Sequence, residues 1–381
     1  MRMTGKSLLC FLICLITVAL CGCSRNGNTA QTTETRPADT AETYGEPQEL
    51  TVDTIVSPYA GKLSGKALTP WDMAFDDGWL YVGAGDFDKN VAPGKFYRYN
   101  VADGEWTACG ACYDEQISRF SMIDGKLTVP GTDPTESWDY GNYYVLGDSG
   151  FSRYRNIPNG VHTFDVIEYN GTIFTGDGVV DGIHPVALSK IGSGTFKRVR
   201  FYKDGKVLDL SKNQIIRVYD FFILNDTLYA MLTVDGQRSV YTYGDNKFVY
   251  YASVYDKIEF TSGEWYFPIR AKETVGDTVY FTTGYLYLTK DMNEFTKVTV
   301  GGVQRFTDLL KWGDDCFALG WHQNGKDSYE NRVYAVDGTE CHLVCKFTSS
   351  SPALSFARSD DAWWFGLGGN EIGNIAYAKL G

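Results

Sequence analysis

Asp72, Arg119, Asp165 and Asp220 hold equivalent places in successive segments of this 381-residue chain, each six residues ahead of the second residue of a two-residue turn. Ala271, Leu309 and Ser355 hold that place in three further segments, and His162, Arg217, Arg270 and Arg305 stand near the start of such segments. Carboxylates accept from hydroxyls or exchange protons as acid and base, and guanidinium groups fork to a carboxylate. The set therefore suits recognition of a polar or acidic sugar at a concave mouth; the competing reading is mutual neutralisation in a wet channel. Trp138, Trp321 and His322 fall in loops that follow strands. Their rings suit stacking on the C–H faces of a sugar, and the plainer reading makes the tryptophans packing anchors. All eleven named Asp, Arg, Trp and His residues are candidate ligand-binding groups, and no catalytic residue is assigned.

The common enzyme signatures are missing: the chain has no GxSxG, HExxH or Walker loop, and only four histidines. A carboxylate pair for glycoside hydrolysis stays compatible with the many acids, because their separation does not show in sequence. Asp177-Gly178 and Asp181-Gly182 lack EF-hand spacing. Cys109 and Cys112 have CxxC spacing, but strand alternation sends their thiols to opposite faces, which argues against a metal or redox centre. Cys341 and Cys345, four apart, share a face as small core residues. No metal or cofactor is expected. The formal charge is −12 with no Lys/Arg block, which disfavours nucleic acid as a partner.

A repeat must position the candidate residues. The pairs Asp77-Gly78, Asp124-Gly125, Asn170-Gly171, Asn225-Asp226, Gly276-Asp277, Asp314-Asp315 and Asp360-Asp361 each precede a short apolar and aromatic run such as Trp79-Leu80-Tyr81-Val82. Asp-Gly and Asn-Gly favour hairpin turns because both central residues tolerate positive φ. Seven copies at intervals of 38 to 55 residues suit four-stranded propeller blades. No sustained 3.6-residue period competes with this pattern. The reading is an all-β, seven-bladed β-propeller over residues 50–381. Its last copy is one strand short, so Leu50–Ser57 is expected to complete that blade and close the ring.

Single hairpins carry family resemblances. Val82-Gly83-Ala84-Gly85 with Tyr97-Arg98-Tyr99-Asn100 and Trp106 resembles a kelch repeat, and Thr289–Phe295 resembles a degenerate sialidase Asp-box. Both imply a propeller and neither transfers an activity. At the N-terminus, Arg2 and Lys6 precede the apolar run Leu8–Leu20, and Leu20-Cys21-Gly22-Cys23 resembles the bacterial lipobox. That resemblance implies a signal peptide over 1–22 and lipidation of Cys23, with anchorage on the extracytoplasmic face of the cell membrane. Residues 23–49 read as a disordered tether, since they carry almost no large apolar residue. The expectation is a lipid-anchored surface protein binding a carbohydrate or envelope component. A lipid-anchored glycosidase or lyase and a protein-interaction scaffold are the rivals.

Overall fold

The computed structural model describes residues 45–380 apart from 180–181, 214, 255 and 261–266. The signal segment, Cys23 and most of the tether lie outside the described residues. Strands dominate, with two 3-10 turns besides. The turn chemistry acts as its residues dictate: Asp77, Asp124, Asn170 and Asn225 and the residue after each all take φ between 46° and 81°.

The sixth turn forms one residue earlier than expected. Gly313, at φ 63°, and Asp314 make it, and Trp312 pairs with Asp315. Glycine takes this left-handed conformation without a Cβ clash, so the turn settles on it. The equivalent inner position in that segment is therefore Asp308, not Leu309.

The molecule is an all-β propeller of antiparallel sheets, but separate blades number five, not seven. One is built from Met73–Asp76, Trp79–Val82, Lys95–Asn100 and Glu105–Ala111. Ser121–Ile123, Lys126–Pro130, Tyr140–Gly147 and Gly150–Pro158 form the next. Ala271–Val275, Thr278–Thr282, Leu286–Thr289 and Thr296–Val298 form a third. The fourth comprises Arg305–Trp312, Asp315–Gly325, Ser328–Asp337 and Glu340–Ser349, with Gln48–Glu49 added in parallel at its outer edge. The remaining two meanders, begun by His162–Tyr169 and Ile216–Leu224, fuse into one ten-stranded sheet. Gly178 and Val179 pair with Arg217 and Ile216 and so bridge them. Gly178 is needed on the other side, against its own inner strand, since a Cβ there would stand 2.9 Å from the His162 ring.

Closure follows the expected route. Asp53–Val56 pairs antiparallel with Asn374–Lys379, completing the fifth separate blade with Ala353–Arg358 and Ala362–Leu367. Trp106 donates its indole N–H to Val56 O at 3.0 Å and stitches this strand to the neighbouring blade. Second strands lie between two neighbours and are buried on both faces, as in Thr278–Thr282; outer strands such as Glu340–Ser349 alternate.

The cysteines depart from simple alternation. Gly110, at φ 148°, distorts the strand Glu105–Ala111, and Cys109 and Cys112 are buried in the same apolar cluster. An irregular register beside Cys345 does the reverse for Cys341 and Cys345, which join different clusters. All five described cysteines are free, and no metal-binding group of His, Cys, Asp or Glu occurs among the described residues.

Candidate functional site

Four inner strands carry a bulge at the same place. The bulged residues are Phe164, Tyr219, Thr307 and Leu354, and the next residue in each case occupies the inner position, which in the third is Asp308 in place of the expected Leu309. Bulges re-aim the side chain that follows them. Asp72 accepts from the N–H of Met73 at 2.8 Å and of Phe120 at 2.7 Å. Asp308 accepts from Leu309 and Phe356, each at 2.9 Å, and Asp165 from Phe221 at 2.8 Å. Phe120, Phe221 and Phe356 each follow the inner position of the next segment. These aspartates therefore lace adjacent inner strands together.

Arg119, Asp165 and Asp220 come together as the sequence suggested. The Arg119 guanidinium stands 3.3 Å from Asp165 and 2.9 Å from Asp220, and it also donates to Ile269 O at 3.4 Å. Lys272 bonds Asp165 and lies 3.8 Å from Asp220. Burial works against the Arg119 charge, but Asp220 and Asp165 outweigh it and hold its pKa above normal. Burial lowers the Lys272 pKa, with Asp165 opposing, and raises that of Asp220, with Arg119 opposing. Arg270 is buried, 6.0 Å from the Trp71 ring, and its charge counters the burial that raises Asp72 and, together with Asp72, Asp308. Groups from so many segments can meet only at the axis. Rings meet there as well: Phe164 lies 4.5 Å from Tyr219 and 5.6 Å from Phe267, and Phe87 lies 6.0 Å from Phe267. The axis is thus packed with paired charge and aromatic rings.

A second cluster lies under a rim formed by the exposed Trp138, and its acids are buried: Asp114 is 0%, Glu115 8% and Asp133 7% exposed. Asp114–Gln116 pairs antiparallel with Thr132–Pro134 so that Glu115 directly faces Asp133. Like charges in that position repel. Burial, then Asp133, Asp114 and Asp86, push Glu115 up to about 7. Burial raises Asp133 to about 6 against a hydrogen bond from Trp138, and burial raises Asp114 to about 6. Asp133 also holds a left-handed backbone, φ 65°. Such strain in a residue other than glycine gathers at functional places. The Trp138 indole donates to Asp133 at 3.2 Å, and its side chain is 59% exposed. His162 Nδ1 stands 3.5 Å from Asp133, and the ring stacks on Phe164. Burial, then Arg217, lower His162 to about 4, so it is neutral at pH 7. Arg217 lies over the Phe164 ring at 5.7 Å and donates to the Tyr219 hydroxyl at 2.6 Å.

Beside Trp138, Arg153 covers the half-exposed Tyr113 ring at 3.9 Å. Arg153 and Arg155 pair with Glu136 at 3.2 and 3.3 Å. Arg155 donates to the carbonyl of exposed Tyr140 at 2.8 Å.

The other forecast residues lie apart from this rim. Trp321 is 8% exposed, edge-on to Tyr329 at 5.5 Å, and paired in register with Arg305; it packs rather than presenting a ring. His322 is half-buried opposite Glu330. Asp177 is buried and committed to Arg198, Thr163 and Thr175, which leaves nothing for a cation. Sequence reasoning missed Glu115, Asp114 and Lys272; Lys272 adjoins the aligned Ala271, whereas nothing local marks Glu115.

No protein-family model matches the chain, and no curated protein matches it. Solved structures do. One component of a structure titled the Mitotic Checkpoint Complex superposes with a TM-score of 0.52 at 9% identity, over 96% of this chain and 99% of that one. The RRP9 WD40 repeats superpose with a TM-score of 0.51 at 10% identity, over 88% and 99%. At such identities the likeness shows the fold alone, and that fold is the β-propeller.

Proposed function

We propose that this chain is a binding protein held at the outer face of a bacterial membrane, gripping an extracellular carbohydrate at the rim around Trp138, Glu115 and Asp133. One observation carries the reading: an exposed indole is fixed by its own N–H to a carboxylate that faces a second carboxylate across a strand pair. The ring suits a sugar C–H face, and the acids suit its hydroxyls. The charges at the axis are already engaged with one another, so the rim is the better surface. The lipobox-like Leu20–Cys23 supports the membrane location.

A glycan array read with wild type, Trp138→Ala and Glu115→Gln tests this. One glycan family bound by wild type and lost in both variants supports it, and the absence of any bound glycan rejects it. Turnover of a bound polysaccharide would make the facing acids an enzyme's pair.

A second reading rests on the adjoining Tyr113, Tyr140, Arg153 and Arg155. Tyrosine and arginine dominate protein-binding hot spots, and that surface suits a protein partner. Capture of one partner by wild type, lost on Arg153→Ala with glycan binding absent, favours it.

A further inference from the structure

A cavity of about 470 Å³ shares no residue with the rim; its wall carries the cations Arg238, Lys257 and Lys297, the acids Asp256 and Glu259, and the ring of Phe260. That volume is in the range of small-molecule sites, roughly 300–1,000 Å³. Its cations are not equivalent. Lys297 pairs with Glu259 at 3.0 Å and sits over the Tyr285 ring at 3.4 Å. Lys257, also in the wall, is held by Asn293 and by Glu294 at 3.2 Å. Arg238 has no ion pair among the described residues. Its guanidinium stacks 4.1 Å from the Phe260 ring centroid, and its Nε is buried without a hydrogen-bond partner.

Burial lowers the Arg238 pKa, offset only in part by Tyr219 and Asp220. A partly buried guanidinium left without a carboxylate is costly unless something pairs with it. Stacking fixes the plane of the fork, which favours a planar two-oxygen partner over a point charge. Phe260 and Phe295 supply apolar lining for the body of such a ligand, while Tyr287 is buried with its face on Phe281.

We propose that this cavity binds a small carboxylate-bearing molecule, with the Arg238 guanidinium forking to the carboxylate and the ligand's flat face against the aromatic wall. The site shares no lining residue with the rim and stands or falls independently of the carbohydrate reading.

The test titrates glucuronate and benzoate, with glucose and benzamide as neutral counterparts, into wild type, Arg238→Gln, Phe260→Leu and Trp138→Ala by ligand-observed NMR. Melting curves verify that each variant is folded. The expected result is saturable binding of at least one carboxylate to wild type, with its neutral counterpart silent. That binding weakens at least tenfold in Arg238→Gln, weakens in Phe260→Leu and is unchanged in Trp138→Ala. Should Arg238→Gln not fold, the Phe260→Leu comparison decides. Failure of both carboxylates to saturate wild type overturns the proposal, as does equal binding by the folded variants at positions 238 and 260.

Discussion

Arg119 Nη2 stands 2.9 Å from Asp220 Oδ1, joining residues 101 positions apart at the propeller axis. The same guanidinium holds Asp165, so one side chain neutralises two buried acids, and Lys272 shares the work. Removing one partner of a buried network leaves the others charged and unpaired. Arg119→Ala is therefore expected to lower the free energy of unfolding by about 3–5 kcal/mol. Arg119→Ala combined with Asp220→Asn should recover part of that loss. Urea denaturation measures both; near-normal stability of Arg119→Ala would return the axis to the list of binding surfaces.

The strand Asp53–Val56 closes the ring mainly by pairing, because Val56 is 60% exposed and Ile55 only half-buried. Deleting residues 48–56 uncaps the edge of Asn374–Lys379 and frees the Trp106 indole. At about 1 kcal/mol per backbone hydrogen bond, the loss should be roughly 3 kcal/mol or more. Deleting residues 26–40 should leave the melting temperature unchanged. Equal melting temperatures for the two deletions would contradict closure by this strand.

The facing acids make stability depend on pH. Glu115 is raised to about 7 and Asp133 to about 6, above ordinary carboxylates at about 4. Each binds its proton more tightly folded than unfolded. Their contribution is therefore full below about pH 4 and is lost as pH rises through 6 and 7. Glu115→Gln mimics the protonated form, so its gain in melting temperature over wild type should be larger at pH 8 than at pH 5. His162, lowered to about 4, adds an opposite slope near pH 5–6 that is common to both proteins and cancels in the comparison. A gain that shrinks with rising pH would show that the two acids do not share a charge.

Cys23→Ala should abolish metabolic labelling by a fatty acid and release the protein from the membrane fraction. Labelling and retention that survive the substitution would remove the lipobox reading.

The sequence was informative where physics is local. Asp-Gly and Asn-Gly turns must form hairpins, and their recurrence, with a final copy one strand short, pointed to a propeller closed by its N-terminal strand. Three arrangements depend on distant partners and stayed hidden. The fusion of two meanders rests on Gly178 and Val179 pairing with Arg217 and Ile216, which lie far along the chain. Asp308 was masked because the turn moved to Gly313, shifting the alignment by one residue. Glu115 meets Asp133 only through a pairing across 18 positions, and neither residue's neighbours in the chain announce it. Arg119, Asp165 and Asp220 were aligned in the sequence and do meet, but that they engage one another depends on distances that residue types do not encode.

The most direct measurement sets the exposed Trp138 against the inward Arg217 of the same cluster. Affinity for the glycan selected on the array is compared across wild type, Trp138→Ala and Arg217→Ala, with melting temperatures recorded alongside. Trp138 is exposed and fixed to Asp133, so Trp138→Ala should keep the wild-type melting temperature and lose about 1–2 kcal/mol of affinity, roughly five- to thirtyfold. Arg217→Ala should lose less affinity, since its guanidinium is engaged with the Tyr219 hydroxyl. Wild-type affinity in Trp138→Ala with loss of binding in Arg217→Ala would contradict the account and move the site from Trp138 to the His162 and Arg217 side of the cluster.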